Sequence, residues 1–144
     1  MRSALILTGL LVVASPAFAH VGVLPRESKT GATENYTFGV PSEGGKTTTT
    51  VVLDVPESVT IVTVSAPEGA THAETRTNGR VTEVTWTIQI AAGASAELRF
   101  VAKNPDRGDA IVWKVHQKYS DGTVSDWIGE AGTRSPAPVT KLLP

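Results

Sequence analysis

From residue 20 onward, apolar and polar positions alternate with the period of a β-strand. Tyr36, Phe38 and Val40 alternate with Thr37 and Gly39, and Pro41 stops the run. Residues 47–55 form a Thr/Val-rich strand closed by Pro56, and residues 59–66 form another closed by Pro67. Asn78-Gly79 is a strong hairpin signal. It leads into residues 80–90, where Val84, Trp86, Ile88 and Ile90 share one face. After a turn at 91–94, residues 97–102 point Leu98, Phe100 and Ala102 inward. Residues 111–120 put Ile111, Trp113, Val115 and Tyr119 on one face. Asp121-Gly122 is a second hairpin signal, and residues 123–128 return with Trp127 at the opposite parity from Val124. A short first strand is expected at 20–24, a turn at 25–32, a loop across the polar stretch 69–79, and an edge segment or loose end from Thr133 to the C-terminus. No amphipathic helical stretch appears in this region. About seven to nine short strands with turn signals at this spacing predict an all-β, immunoglobulin-like two-sheet β-sandwich, without the Cys…Trp…Cys signature of antibody domains.

The first residues read differently. Met1 and Arg2 precede an apolar run, 4–14, and then Ser15-Pro16-Ala17-Phe18-Ala19. Ala17 and Ala19 make the small-x-small pattern that signal peptidase recognises, so residues 1–19 are expected to be a cleaved signal peptide and residues 20–144 the mature domain. The run of roughly a dozen apolar residues is too short to span a bilayer. The mature chain is therefore expected to be periplasmic or secreted and to carry no membrane anchor. There is no cysteine, and the one methionine is Met1. An exported domain of this kind has to hold itself by packing and strand pairing alone. A net charge of −1 with no basic stripe argues against nucleic acid as a partner.

The expected cleavage gives His20 a free α-amine beside its imidazole. The amine nitrogen and ring Nδ1 can close a six-membered chelate on one metal ion, and such nitrogen donors favour copper(II) among the divalent first-row ions. With no sulfur in the mature chain, blue-copper and thiolate zinc sites are excluded. An oxygen ligand is sought in the pairing of the first strand with the 36–40 strand. An antiparallel arrangement sets the start of one beside the end of the other, which prefers Glu43 to Glu34; a solvated surface charge is the ordinary fate of either. Trp127 is either a ring beside the ion or a core or rim residue, whereas Trp86 and Trp113 share parity with aliphatic neighbours and belong to the core. His72, in the expected loop, and His116, on a strand face away from Trp113 and Val115, have no spacing that points to His20. No nucleophile elbow, phosphate loop or dinucleotide fingerprint is present, and no enzyme is expected.

Ala19-His20-Val21, Phe38-Gly39-Val40-Pro41-Ser42-Glu43, the Thr/Val strand running into Pro56, Val84-Thr85-Trp86, Tyr119-Ser120-Asp121-Gly122, Trp127-Ile128-Gly129 and Ser135-Pro136-Ala137-Pro138 together resemble the YcnI-like domain. The resemblance covers essentially the whole mature chain. It implies a copper(II) site called a monohistidine brace, with the histidine at His20, a glutamate at Glu43 with Glu34 in reserve, and a tryptophan close by at Trp127. It also implies a metallochaperone role alongside other copper-handling or copper-transport proteins. A metal-free β-sandwich interaction module and a copper-dependent oxidoreductase are the alternatives.

Overall fold

The computed structural model describes residues 20–144; the expected signal peptide, 1–19, lies outside the described residues. Among the described residues every regular element is a strand. They are β1 (Gly22–Leu24), β2 (Glu27–Lys29), β3 (Thr33–Pro41), β4 (Thr48–Asp54), β5 (Thr60–Val64), β6 (Thr71–Thr77), β7 (Arg80–Ile90), β8 (Ser95–Lys103), β9 (Ala110–Val112), β10 (Lys114–Tyr119), β11 (Val124–Trp127) and β12 (Val139–Leu143). A four-stranded sheet, β1-β3-β8-β5, faces a five-stranded sheet, β11-β10-β4-β7-β6, and a small third sheet, β2-β12-β9, completes the sandwich. The all-β, two-layer architecture is the one the alternation predicts.

The alternating residues meet between the layers. Tyr36, Phe38 and Val40 of β3 and Leu98, Phe100 and Ala102 of β8 are buried against Val51 and Leu53 of β4, Val84 and Trp86 of β7, and Val115 of β10. Phe38 meets Trp86 edge-on at 6.3 Å between ring centroids, and Tyr36 meets Trp113 at 4.9 Å. Such tilted contacts set the positive edge of one ring against the negative face of the next. The indole N–H groups buried with these rings find acceptors: Trp86 Nε1 donates to the Ser65 carbonyl at 2.9 Å and Trp113 Nε1 to Thr140 Oγ1 at 3.0 Å. Among the described residues no buried side-chain nitrogen or oxygen is left without a partner, as a domain without disulfides requires.

Four expectations are corrected. The polar stretch around His72 is strand β6, not a loop; every residue of it is exposed, and it is a strand because it pairs with β7 through the Asn78-Gly79 turn. Asn78 and Gly79 take φ of 52° and 77°, the left-handed pair that a tight hairpin demands. The 25–32 turn contains β2, and the tail contains β12, the central strand of the third sheet, parallel to β2 and antiparallel to β9. The expected strand 111–120 is divided: β9 joins the third sheet and β10 the five-stranded one, with Trp113 buried at the crossing. The threonines of β4 differ in exposure. A register shift between Thr48 and Thr50 breaks the alternation, and Thr48 is fully buried.

Candidate metal centre

β1 and β3 pair antiparallel with Gly22 opposite Gly39 and Val23 opposite Phe38. Continuing that register two residues outward sets His20 opposite Pro41. Glu43 follows two residues later in the turn between β3 and β4. The hairpin β10–β11 reaches the same end of the sandwich, since Tyr119 of β10 is opposite Thr48 at the start of β4, and the Trp127 ring is turned inward while Val124 faces out. His20 and Trp127 lie 5.7 Å apart between ring centroids, at an interplanar angle of 53°. His20, Glu43 and Trp127 line one cavity of about 260 Å³ together with Pro41, Lys46 and Tyr119. The three side chains singled out in the sequence therefore converge.

A polar network beneath the cavity holds these pieces. Gln117 is completely buried on β10. Its Oε1 accepts from Trp127 Nε1 at 3.0 Å, and its Nε2 donates to the Pro41 carbonyl at 2.8 Å and to Thr48 Oγ1 at 2.7 Å. Thr48 Oγ1 in turn shares a 2.8 Å bond with Ser42 Oγ, which donates to the Lys46 carbonyl at 2.7 Å and so closes the turn that carries Glu43. On the rim, Lys46 Nζ donates to Thr123 Oγ1 at 2.8 Å and lies 3.4 Å from the Asp121 carboxylate, tying the same turn to the tip of the β10–β11 hairpin. The other wall is the segment after β11, with Arg134 and Ser135 lining the cavity. That segment folds back on Gly129, whose N–H donates to the Ser135 carbonyl and whose carbonyl accepts from Ala137.

The remaining candidates stand elsewhere. Glu34 lies at the far end of β3, about 24 Å from Pro41 by strand rise. Its carboxylate accepts from Ser28 Oγ at 2.9 Å. Through Ser28 it joins a structural network in which Asn104 Nδ2 donates to Ser28 Oγ and Asn104 Oδ1 accepts from Tyr36. His72 is on the exposed edge strand β6. His116 is on the outer face of β10, with Nδ1 2.5 Å from Asp126 Oδ1 and Nε2 2.7 Å from Asp54 Oδ2. Burial disfavours its cation, but the hydrogen bonds and charges of Asp126 and Asp54 outweigh that and raise its pKa above the usual imidazole value. Among the described residues no three His, Cys, Asp or Glu side chains group as a metal cluster. Of the strong metal donors, the lining side chains offer one imidazole and one carboxylate. Gln117 is a site residue that the sequence marks only by parity: it shares the inward side of Trp113, Val115 and Tyr119, a polar residue where an apolar one is expected.

A family model described as a domain of unknown function, DUF1775, matches residues 20–142. The chain is 35% identical over 140 residues to the copper-binding protein CutI of Bacillus subtilis (strain 168), an overlap of 95% of this chain and 69% of that one. The crystal structure of an uncharacterized protein from Nocardia farcinica, described as immunoglobulin-like, superposes with a TM-score of 0.76 at 23% identity, covering 87% of this chain and 99% of that one. A non-cellulosomal cohesin from the archaeon Archaeoglobus fulgidus, 8% identical, gives a TM-score of 0.50 over 87% of this chain and 91% of that one. The last two are likenesses of fold alone.

Proposed function

Because the chain belongs to the YcnI-like family, the domain described as DUF1775, we propose that its mature form, residues 20–144, is an extracytoplasmic copper(II)-binding protein that carries or buffers the ion rather than transforming a substrate. The copper-binding relative supports copper as the ligand. The observation that carries the reading is the convergence of His20, Glu43 and Trp127 on one cavity. The donor chemistry fits: imidazole nitrogen and carboxylate oxygen suit copper(II), and no sulfur from cysteine or methionine competes. In this proposal signal cleavage after Ala19 frees the α-amine of His20. The amine and Nδ1 chelate the ion, Glu43 supplies the oxygen, and the Trp127 ring shields one side from water. The ion is cargo, to be passed to other copper-handling proteins.

The decisive experiment pairs the intact mass of the exported protein with copper(II) titration. The mass is expected to correspond to a chain that begins at His20. His20→Ala is expected to abolish tight binding with the fold intact, since His20 lies ahead of β1 and is exposed. Proton release on binding makes the affinity fall as the solution is acidified, which competition titrations at pH 5 and pH 8 would read. An exported chain with a different first residue, or unchanged copper stoichiometry in His20→Ala, would overturn the reading and leave the metal-free interaction module. Turnover with reductant and oxygen would favour an oxidoreductase instead.

A further inference from the structure

We propose that Gln117 is the positioning residue of this cavity, one buried amide that fixes the Trp127 ring against His20 and the Pro41 carbonyl beside it. Three hydrogen bonds of 2.7–3.0 Å leave from its side chain, and they run in two directions. The carbonyl oxygen holds the indole N–H of Trp127, on β11. The amide nitrogen holds the Pro41 carbonyl, at the end of β3, and Thr48, at the start of β4. Each partner leads to the cavity by a separate path. Trp127 touches His20 directly. Pro41 is the residue opposite His20 in the continued β1–β3 register. Thr48 reaches the Glu43 turn through Ser42. A glutamine is suited to this place because it is the neutral side chain of this length that both donates and accepts. Fully desolvated, it is costly unless every bond is made, so its geometry is narrow and is passed on to the groups it holds. A hydrophobic residue would fill the volume and leave the indole N–H, the Pro41 carbonyl and Thr48 to find other partners or to shift.

The role is separable from stability by a matched control. Thr140 is equally buried and makes two side-chain hydrogen bonds, accepting from Trp113 Nε1 and donating to the Pro25 carbonyl, but it serves the third sheet and does not line the cavity. Gln117→Met and Thr140→Val are compared with the unaltered mature chain by copper(II) competition titration. In the metal-free proteins they are compared by the NMR shifts of the His20 ring protons, which sense the ring current of Trp127. Gln117→Met is expected to weaken copper binding by about 10- to 100-fold and to move the His20 resonances, and Thr140→Val to do neither. The copper arm rests on the function proposed above; the NMR arm does not. If the unaltered protein fails to bind copper, that function falls, and the His20 shifts alone decide the role of Gln117. A folded Gln117→Met variant with unchanged His20 shifts, or with unchanged affinity where the unaltered protein binds, would overturn the proposal, as would an equal loss in Thr140→Val. If Gln117→Met does not fold, hydrogen exchange of the Trp127 indole N–H in the unaltered protein decides. Slow exchange supports a ring held by a buried acceptor, and exchange as fast as that of a free indole rejects it.

Discussion

His116 shows how one side chain can be charged by its neighbours. Both ring nitrogens face carboxylate oxygens, which only accept, so both bonds are satisfied when the ring is the doubly protonated cation. Glu83 of β7 and Lys118 border the same outer patch, and Lys114 is paired across from Asp54. The folded pKa is raised above 6.5, so the clasp contributes fully below the unfolded value and is lost as pH rises through the folded one. Stability measured by denaturant midpoint is expected to decline as pH climbs from the ordinary histidine range toward mild alkalinity, and His116→Asn is expected to flatten that decline. The two glutamates give a second contrast at this scale. Glu43→Gln is expected to weaken copper(II) binding in titration, because an amide oxygen is a poorer donor than a carboxylate. Glu34→Gln is expected to leave it unchanged, because Glu34 serves Ser28 at the other end of the strand.

At the scale of elements, alternation was legible wherever a strand buries one face. Tyr36-Phe38-Val40 and Val84-Trp86-Ile88-Ile90 fix both the strands and their inward sides. The β1–β3 pairing was legible from the turn signals between them, and with it the placement of Glu43 near the start of β1. What could not be read lacks that signal. β6 has no buried residue, so its strand character comes entirely from its neighbour. β2 and β9 are too short to show a period, and β12 hides behind prolines. The role of Gln117 is not legible in the sequence because a buried amide is recognised by its partners, and those are 10 to 76 residues away in the chain. The wall after β11 depends on a missing side chain. A Cβ on Gly129 would lie 2.5 Å from Thr133 Oγ1 and 2.9 Å from the Ser135 carbonyl. Gly129→Ala is therefore expected to destabilise by about 1–3 kcal/mol, the usual range for overpacking, and to displace the Arg134–Ser135 wall. Thermal melting and copper titration of the variant check both effects.

For the whole molecule, the cavity joins His20 to Trp127, far apart in the chain, so it exists only when the sandwich is assembled. An ion that binds the native arrangement and not the open chain stabilises folding in proportion to its occupancy, about 2.7 kcal/mol at a free concentration one hundred times the dissociation constant. Copper(II) is expected to raise the melting temperature of the unaltered protein and not of His20→Ala, as calorimetry with and without the ion would show.

The placement of His20 just ahead of β1 adds a kinetic consequence. β1 has three residues and lies at the border of its sheet, bonded to β3 alone within it. In the proposed carrier, an ion gripped by the residue ahead of such a strand can be let go by peeling back its few backbone bonds and withdrawing the buried Val21 and Val23 side chains, with the aromatic interior undisturbed. The lifetime of the loaded protein should then follow the unzipping of Gly22–Leu24 rather than global unfolding, and an acceptor that competes for that short ribbon would speed the hand-over.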